Sequence, residues 1–413
     1  HTYRYSVGGE WQHGTGTTLT KIQAYGLGYD LNLISNFTFY LNDPVHGDQR
    51  EQVDHRFVSG VRAFQKRQSR WGTRPVENTV GVQFRNDNIM QIALFHTEQR
   101  VRLETWNDAS ALVTSVGVYG ENQVEWGRWI RTSVGLRADG SRYDVTNTID
   151  ARNGGTATAG IISPKGTVTF GPWRSTEFYV NAGTGFHSNS ALGATLTYDI
   201  NGNPAKPVTP LVRAKGAEVG VRTVTVPHLQ STVSLWTLRL GSELVYNADV
   251  GASEPGPSSK RYGVEFANYY SPKRWLVFDG DVAWSQARFT EFNEAGPYVP
   301  EAVDVVVSGG ASIDNFHRTF ASLRLRYFGP RALVEDNSVR SRATTLLNFE
   351  GGYQLFESLR VNANIYNLFD AAASDIDYYF TSRLTGEPYS GVDDIHTHPA
   401  VPRTLRISVI VGF

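Results

Sequence analysis

The chain contains no cysteine and a single methionine, and no apolar run approaches the roughly 18 residues of a membrane-spanning helix. Without cysteine there can be no disulfide, no thiolate zinc site and no thiol catalysis. Hydrophobic residues make up 40% of the 413 residues, which is low for a compact globular chain. The net charge of −1 provides no bulk basic field, so we expect no nucleic-acid partner.

Glycine and aromatic residues are abundant, with 40 Gly, 20 Tyr and 21 Phe. Many stretches alternate apolar and polar residues with a period of two, as in Thr79–Arg85, Trp129–Asp139 and Leu359–Ile365. This period is that of a β-strand with one apolar and one polar face. No stretch shows a sustained helical repeat, so the sequence predicts an all-β protein.

The connections between the predicted strands alternate between short and long. Short turns are predicted at 126–129, 171–175, 227–230, 271–274, 314–317 and 355–358, and long loops at 145–156, 188–211, 251–260, 290–302, 329–343 and 370–402. This alternation is typical of a transmembrane antiparallel up-and-down β-barrel. We count about 17 strands. Because single-chain bacterial barrels have an even strand number, we expect further strands to precede the first one, Tyr3–Trp11.

The two faces of the strands separate a membrane barrel from a soluble one, because the apolar face points outward to lipid in the first and inward in the second. The polar faces are rich in Arg, Asp, Glu and Asn, which suits a wide, wet lumen. Aromatic rings gather near strand ends, as at Trp126, Trp129 and Trp173, where headgroups favour them. A soluble barrel whose ends are plugged by these rings is the alternative.

The last strand, Arg403–Phe413, ends the chain on an aromatic ring. One of its faces carries Leu405, Ile407, Val409, Val411 and Phe413. In a membrane barrel this face lies against lipid, with the ring at the rim. If the first strands are missing, the outer edge of this strand has no pairing partner.

Several segments resemble the TonB-dependent receptors of Gram-negative outer membranes. They are Asn181–Gly193, Pro210–Thr223, the segment Asn364–Asp370 with its Asn-Leu-Phe-Asp motif, and the last strand that closes on Phe413. Ser35–Arg56 and Ser374–Pro399 are similar to one subgroup of these receptors. The resemblance covers nearly the whole chain.

The resemblance implies a plug domain followed by a barrel of about 22 strands, whereas we expect residues 1–413 to form a single transmembrane barrel domain without the plug and the first strands. It implies an outer-membrane receptor that binds a scarce solute, a ferric siderophore or another metal chelate, at its extracellular loops. TonB-coupled energy would then drive import through the lumen. The implied partners are outer-membrane lipid, the TonB complex acting through the plug, a small metal chelate and the barrel assembly machinery. We expect a monomer without a cofactor.

The last long loop carries six candidate ligand-binding residues: Asp375, Asp377, Asp393, Asp394, His396 and His398. On an extended segment both rings of His-x-His lie on one side, and imidazole with carboxylate suits a transition metal or its chelate. The alternative is a solvated loop whose carboxylates cap turns and pair with Arg383 or Arg403. The identity of any metal stays open.

A second group of oxygen donors lies in the first long loop. Asn42, Asp43, Asp48 and Asp54 could supply ligands to calcium. The sequences Asn-Asp-Pro and His-Gly-Asp in this loop are also turn formers. A turn is the simpler interpretation.

The strand parity predicts several polar side chains in the lumen. His187 follows Phe186, a predicted lipid-facing residue, and the resemblance places such lumen residues beside the ligand path, although an ordinary lumen-lining histidine is the alternative. The same parity places five arginines in the lumen: Arg131, Arg137, Arg324, Arg326 and Arg406. They could attract carboxylate-bearing chelates or form a structural ladder of cross-strand ion pairs.

The sequence contains no nucleophile elbow, no His-Glu-x-x-His and no phosphate loop, so we expect no enzyme. The segment Ser163–Gly166 is predicted to be a strand irregularity. Two other functions remain open. A passive porin-type channel predicts open conductance without a plug, and a soluble all-β binding protein predicts extraction without detergent.

Overall fold

A computed structural model of the chain describes residues 1–199, 202–247, 252–292 and 294–412, and these residues are arranged mainly in antiparallel β-strands. Strands β1 to β7 are Thr2–Gly14, Thr18–Ser35, Arg50–Trp71, Arg74–Glu98, Val101–Glu125, Ile130–Asn147 and Gly155–Trp173. Strands β8 to β14 are Thr176–Ser188, Leu211–Thr223, Leu229–Leu240, Leu244–Asn247, Ala252–Pro255, Ser259–Lys273 and Leu276–Phe289. Strands β15 to β21 are Val305–Phe316, Thr319–Phe328, Thr344–Phe356, Leu359–Tyr366, Ser374–Ser382, Val392–Pro399 and Thr404–Val411.

The helical content of the described residues is small. A 3₁₀ turn spans Ala151–Asn153, and the short helix α1 spans Ala191–Thr195. No helix among the described residues is long and apolar enough to cross a membrane.

Seventeen strands form one antiparallel sheet, which confirms the predicted fold class and strand count. Each of these strands pairs with the next one along the chain, from β1 with β2 to β18 with β21. The remaining strands form two hairpins within long loops, β11–β12 and β19–β20. Among the described residues β1 pairs only with β2 and β21 only with β18, so the sheet has two free edges. Phe413 lies outside the described residues.

The two faces of the sheet differ as the alternation predicts. Val134 and Leu136 of β6 are 61% and 56% exposed, and Leu405 and Ile407 of β21 are 60% and 66% exposed. Polar residues of the opposite parity form ion pairs across the concave side, as between Arg131 and Glu177. The apolar face therefore points outward and the charged face lines a lumen, which excludes the inward apolar core of a soluble barrel.

Aromatic rings line the rim that carries the short turns. Trp71 contacts Trp126 edge-on at 5.8 Å between ring centroids, and Trp129 stacks on Trp173 at 5.8 Å. Trp275 lies 4.3 Å from Phe316 at the turns of the following hairpins. A ring belt at this level is what a membrane interface favours.

Glycines allow tyrosine rings to lie flat across neighbouring strands. Tyr119 lies opposite Gly81, and Tyr179 lies opposite Gly220. A Cβ atom at Gly81 would lie 2.4 Å from the Tyr119 ring, and one at Gly220 would lie 2.3 Å from the Tyr179 ring. Cross-strand aromatic cover of glycine stabilises long strands, which explains why the chain is rich in both residue types.

Candidate ligand-binding site at the loop-covered mouth

The loop between β8 and β9 folds inward over the lumen. Ala191 and Ala194 of α1 pack against Ile89, Ala111 and Tyr143 of β4, β5 and β6 in a buried apolar cluster. Ile89, Ala111 and Tyr143 face the lumen, because the strand register puts them on the same side of the sheet as Arg85 and Arg137. The loop therefore narrows the mouth of the lumen.

The neighbouring loop, between β6 and β7, fixes this inward segment. The Asn153 side-chain oxygen accepts the N–H groups of Thr197 and Tyr198, each at 2.9 Å, and its Nδ2 donates to the Tyr198 carbonyl at 3.0 Å. The Arg152 guanidinium lies 3.8 Å from the centroid of the Tyr198 ring. It also lowers the pKa of Asp150 by hydrogen bonding to that carboxylate. The two loops thus form one interlocked unit.

A cavity of about 540 Å³ lies between α1 and the lumen wall. Three arginines line it, and each is paired with an aspartate two residues away on its own strand: Arg56 with Asp54, Arg85 with Asp87, and Arg137 with Asp139. The Nε–Oδ1 distances in these couples are 2.7, 2.9 and 2.9 Å. Residues i and i+2 of a strand share a face, so the Arg-x-Asp spacing brings both charges to the lumen.

Each couple is locally neutral, and a guanidinium has five N–H donors, more than one carboxylate occupies. The cavity wall can therefore donate hydrogen bonds to an oxygen-rich ligand without carrying excess charge. The sequence pointed to Arg137 as a lumen residue and to Asp54 only as a calcium candidate, and it did not predict the pairing in any of the three couples. The couples could have been found by searching the lumen-facing positions of each strand for the spacing Arg-x-Asp or Asp-x-Arg.

Asn189 lies at the edge of the same cavity. The residue is 7% exposed, and its Oδ1 atom has no hydrogen-bond partner among the described residues, whereas its Nδ2 donates to the Thr209 carbonyl at 2.8 Å. A buried acceptor without a partner is costly. This oxygen is therefore available to a donor in the cavity.

His187 shares the lumen face with Glu177, because the register of β8 against β9 is unbroken. Its Nε2 atom is buried and has no partner among the described residues. The register thus gives His187 the predicted parity, although its neighbours Phe186 and Ser188, and not His187, are among the residues that line the cavity. Its participation in ligand binding stays a prediction.

The predicted irregularity at Ser163–Gly166 coincides with the end of a strand pairing. The pairing of β7 with β8 ends at Lys165 and Gly183, and the next residue of β7 is Pro164. The pairing of β6 with β7 continues through this segment. Proline has no N–H to donate to a ladder. Phe186, which the alternation placed on the lipid side, is among the residues that line the cavity, beyond the end of this pairing.

The six acidic and histidine candidates of the last loop lie on the β19–β20 hairpin. The register places Asp394, His396 and His398 on one face, opposite Phe380, Tyr378 and Ile376, and it places Asp377 and Asp393 on the other face, opposite Thr397 and Thr381. The hairpin therefore divides the candidates into two sets. In the described part of the chain no group of three or more His, Asp or Glu residues is arranged to hold a metal.

The individual contacts of these candidates differ. His396 stacks on Phe380 at 3.8 Å between centroids, and its Nε2 has no partner among the described residues. His398 lies at the exposed end, with Nδ1 3.8 Å from the Asp375 carboxylate. Asp377 accepts a hydrogen bond from Thr397 at 2.9 Å, and Asp393 accepts one from Thr381 at 2.5 Å. His398 and Asp375 are thus the pair most accessible to an external ligand.

The calcium candidates of the first long loop are occupied by protein donors. Asp48 is 2% exposed and accepts hydrogen bonds from the Thr38 hydroxyl at 2.6 Å and from the N–H of Asp43 at 2.7 Å. The N–H groups of His46 and Val45 lower the pKa of Asp43 by donating to its carboxylate. Asp54 pairs with Arg56. The turn interpretation of this loop is therefore the one the geometry supports.

Cross-strand ion pairs account for two of the five predicted lumen arginines. Arg131 and Arg222 both donate to Glu177, at 2.7 and 2.5 Å, and Arg324 pairs with Asp279. Arg137 pairs along its own strand, as described above. Arg406 lies 5.7 Å from the centroid of the Tyr366 ring. Arg326 is exposed on the lumen face.

The Asn-Leu-Phe-Asp motif closes the base of the last loop. Asn367 adopts a φ of 49°, accepts the Ala371 N–H at 2.9 Å and donates to the carbonyls of Ala371 and Val401 at 3.0 and 3.2 Å. Asp370 accepts the N–H of Arg403 at 2.9 Å. The motif thus connects the end of β18 to the start of β21.

One antiparallel sheet with a lipid-facing outer surface, a charged lumen and loops folded over one mouth defines an outer-membrane β-barrel of the receptor type. A family model described as TonB dependent receptor-like, beta-barrel, matches residues 1–368. The chain belongs to this family of TonB-dependent receptors, whose barrels lie in the outer membrane of Gram-negative bacteria. The resemblance found in the sequence is thereby confirmed.

Solved structures share the fold at low identity. The ferric-catecholate import receptor Fiu of E. coli K12 superposes with a TM-score of 0.72 at 13% identity over 100% of this chain and 64% of its own. The ferric citrate transporter FecA gives a TM-score of 0.74 at 15% identity over 99% and 61%, and the ferric yersiniabactin receptor FyuA of Yersinia pestis gives 0.73 at 12% identity over 100% and 61%. The chain thus spans about three fifths of the length of these proteins. No curated protein matches it at the sequence level.

Proposed function

We propose that the protein containing this barrel binds a metal chelate of the ferric-siderophore class at its extracellular mouth and imports it with TonB-coupled energy transmitted by a plug. The observation that carries the proposal is the cavity between α1 and the lumen wall, where three Arg–Asp couples of the wall present a neutral, donor-rich surface beneath the loop. Three structural neighbours are named as ferric-chelate receptors or transporters, and another is named as a copper transporter.

The cavity suits a chelate better than a bare cation. Its Arg–Asp couples offer guanidinium donors, while each carboxylate is already engaged by its arginine. Carboxylates bound in this way are poor ligands for a free metal ion, whereas the oxygen atoms on the surface of a chelate are acceptors for guanidinium groups. Asn189 Oδ1 adds one acceptor for a ligand N–H or O–H group.

The β19–β20 hairpin is the proposed first contact. His398 and Asp375 are exposed at its end, and His396 lies on the same face as His398. These residues would engage the chelate before it reaches the cavity, with His187 on the lumen side of the path. The C-terminal strand would serve the assembly machinery, and we expect a monomer and no enzymatic activity.

Uptake of radiolabelled iron tests this proposal directly. Cells that express the full-length receptor are supplied with iron bound to citrate, to a hydroxamate or to a catecholate siderophore, with and without a functional TonB complex. We expect TonB-dependent uptake of one chelate class. R85Q/R137Q should raise the KM for uptake, and H396A and H398A should each lower initial binding, whereas R326Q on the lumen face should have little effect.

One outcome would overturn the whole proposal, and a second would remove the hairpin from it. Uptake that is equal with and without TonB, together with open conductance of the full-length protein in planar bilayers, would favour the passive channel. Unchanged uptake in both H396A and H398A would show that the hairpin is not part of the ligand path. The R85Q/R137Q result would then decide the role of the cavity.

A further inference from the structure

Four basic residues form a row on the outer face of the barrel. Lys215, Arg239, Lys260 and Arg288 lie on β9, β10, β13 and β14, and each is the direct register partner of the next. We refer to these four residues as the basic row. Directly opposite residues on antiparallel strands have Cβ atoms about 4.5–5.5 Å apart, so the row is a continuous strip of positive charge.

The row shares its face with the lipid-facing residues. On each strand, the residue two positions closer to the short-turn rim shares the face of the basic row. These residues are Ala217, Thr237, Tyr262 and Gln286. The next residues on the same face are Val219, Leu235, Val264 and Trp284. Val219 and Leu235 are exposed. Since alternate residues of a strand share a face, the basic row is the upper border of the outward apolar band.

The layer below the row has the composition of a headgroup interface. The Tyr262 hydroxyl donates to Gln286 at 2.6 Å, and the Tyr262 ring meets Trp284 edge-on at 6.1 Å between centroids. Tyrosine and tryptophan favour the boundary between hydrocarbon and headgroups. The row also lies at the long-loop ends of its strands, because Arg239 and Arg288 are one residue from the ends of β10 and β14. It therefore faces the headgroups of the outer leaflet.

The charges of the row are not neutralised within the part of the chain that the structure describes. None of the four residues forms an ion pair with a described residue. Lys260 lies 5.7 Å from the centroid of the Tyr262 ring and Arg288 lies 3.8 Å from that of Tyr298, contacts that leave their positive charges in place. Like charges directly opposite one another on neighbouring strands are destabilising.

Some outward-facing cations of this barrel are paired, whereas Arg67 of β3 and Arg213 of β9 face outward by register and form no ion pair with a described residue. Arg142 of β6 binds Asp144, and Arg102 of β5 binds Glu51. The basic row differs from both groups because its four cations are direct cross-strand neighbours of one another. An anionic partner outside the chain would remove the repulsion.

We propose that the basic row is a docking surface for a phosphate-bearing lipid of the outer leaflet, with the lipid phosphates lying across the four side chains and the acyl chains lying on the apolar band below. Lysine and arginine both bind phosphate, and arginine can do so with two parallel hydrogen bonds. The inference concerns the outer surface and is independent of the proposed transport function.

Lipid binding to the full-length receptor in detergent tests this proposal, with native mass spectrometry as the readout. The probes are a bis-phosphorylated glycolipid, the same lipid after enzymatic dephosphorylation, and inorganic phosphate. We expect the phosphorylated lipid to bind at least about tenfold more tightly than the dephosphorylated one, a difference of about 1.4 kcal/mol, and R239Q/K260Q to abolish most of this preference. R326Q/R406Q removes the same charge from the lumen face and should bind like the unaltered protein.

Equal binding of the two lipids by the unaltered protein would overturn the proposal, and this comparison does not require any variant to fold. Retention of the full preference by R239Q/K260Q, with folding confirmed by heat-modifiable gel mobility, would also overturn it. Tight binding of inorganic phosphate without a preference for the phosphorylated lipid would show an ion site in place of a lipid surface. Uptake is measured separately, so failure here leaves the transport proposal intact.

Discussion

The backbone N–H of Arg383 donates to the carbonyl of Thr38 at 3.1 Å, which joins the last long loop of the chain to the first one. The reciprocal bond runs from Tyr40 N–H to the Arg383 carbonyl at 2.9 Å. The Arg383 guanidinium donates to the Tyr40 carbonyl at 3.0 Å and lies 4.3 Å from the centroid of the Tyr389 ring. Because β1 and β21 are the free edges of the sheet, this clasp connects loops from its two ends.

Replacing Arg383 by alanine should open the clasp. The buried guanidinium makes charge-assisted hydrogen bonds, so we expect the local stability of both loops to fall by about 2 kcal/mol. Backbone amide exchange measured by mass spectrometry should then rise more than about tenfold in peptides 38–41 and 383–391. R340A in another long loop serves as the control and should leave these peptides unchanged. Equal exchange in R383A and the unaltered protein would show that the main-chain bonds suffice.

Asn367 should be the most sensitive residue of the Asn-Leu-Phe-Asp motif. Its side chain makes three hydrogen bonds to the backbone, and its positive φ favours asparagine over most residues. N367A should therefore destabilise the loop base by about 2 kcal/mol, while N364A on β18 should have a smaller effect. The fraction of protein that migrates as folded barrel on unheated gels measures this difference. A folded fraction in N367A equal to that in N364A would contradict it.

Asp48 should act as a structural acceptor and not as a calcium ligand. Its carboxylate accepts a hydroxyl and several backbone N–H groups, so D48A should destabilise the first long loop by about 3 kcal/mol. Amide exchange of Leu41–Asp43 reports the change, and D336A in an exposed turn is the control. Protection of these amides by millimolar calcium in the unaltered protein would support the calcium interpretation instead.

The barrel could be predicted from the sequence because its signals are local and repeated. Alternation such as that of Trp129–Asp139 shows on which face of the sheet each residue lies. The short turn at Gly171–Ser175 shows which rim of the barrel the chain has reached. Both signals depend on neighbours within one hairpin. The strand count and the outward direction of the apolar face followed from them and are confirmed.

The mouth could not be predicted in the same way, because its contacts join distant loops. The last long loop contains the β19–β20 hairpin, whose register divides Asp377 and Asp393 from His396 and His398. No local pattern shows that α1 folds inward or that Asn153 holds it there. The basic row likewise requires the register of four strands before its charges are seen to be neighbours.

The partly buried carboxyl of Glu301 should make the mouth sensitive to pH. Burial raises the pKa of Glu301 above its ordinary value of 4.5, against the opposing effect of Arg331, with which it pairs at 2.6 Å. The folded loop therefore binds a proton more tightly than the unfolded loop does. Its stability should be greatest at low pH and should fall as the pH rises from 4.5 through the folded-state pKa, becoming constant above it.

The Glu301 N–H, which donates to the Ala332 carbonyl at 2.9 Å, reports this effect. Its exchange rate, corrected for the intrinsic pH dependence, should rise across that window in the unaltered protein. E301Q cannot ionise and should give a flat profile, whereas E335Q in the facing loop should keep the dependence. A parallel profile in E301Q and the unaltered protein would assign the pH dependence to another group.

The Arg131–Glu177–Arg222 cluster distinguishes a structural ion-pair ladder from a site that attracts ligands. Glu177 is 14% exposed, while Arg131 and Arg222 are 41% and 52% exposed, so solvent screening should limit the Arg131–Glu177 coupling to about 1 kcal/mol. A double-mutant cycle with R131Q, E177Q and R131Q/E177Q measures it from denaturant unfolding of the reconstituted barrel. E177Q should be the least stable variant, because it leaves two cations facing each other, and R131Q/E177Q should recover part of the loss. Zero coupling together with a raised KM for uptake in R131Q would instead make Arg131 a ligand-attracting residue.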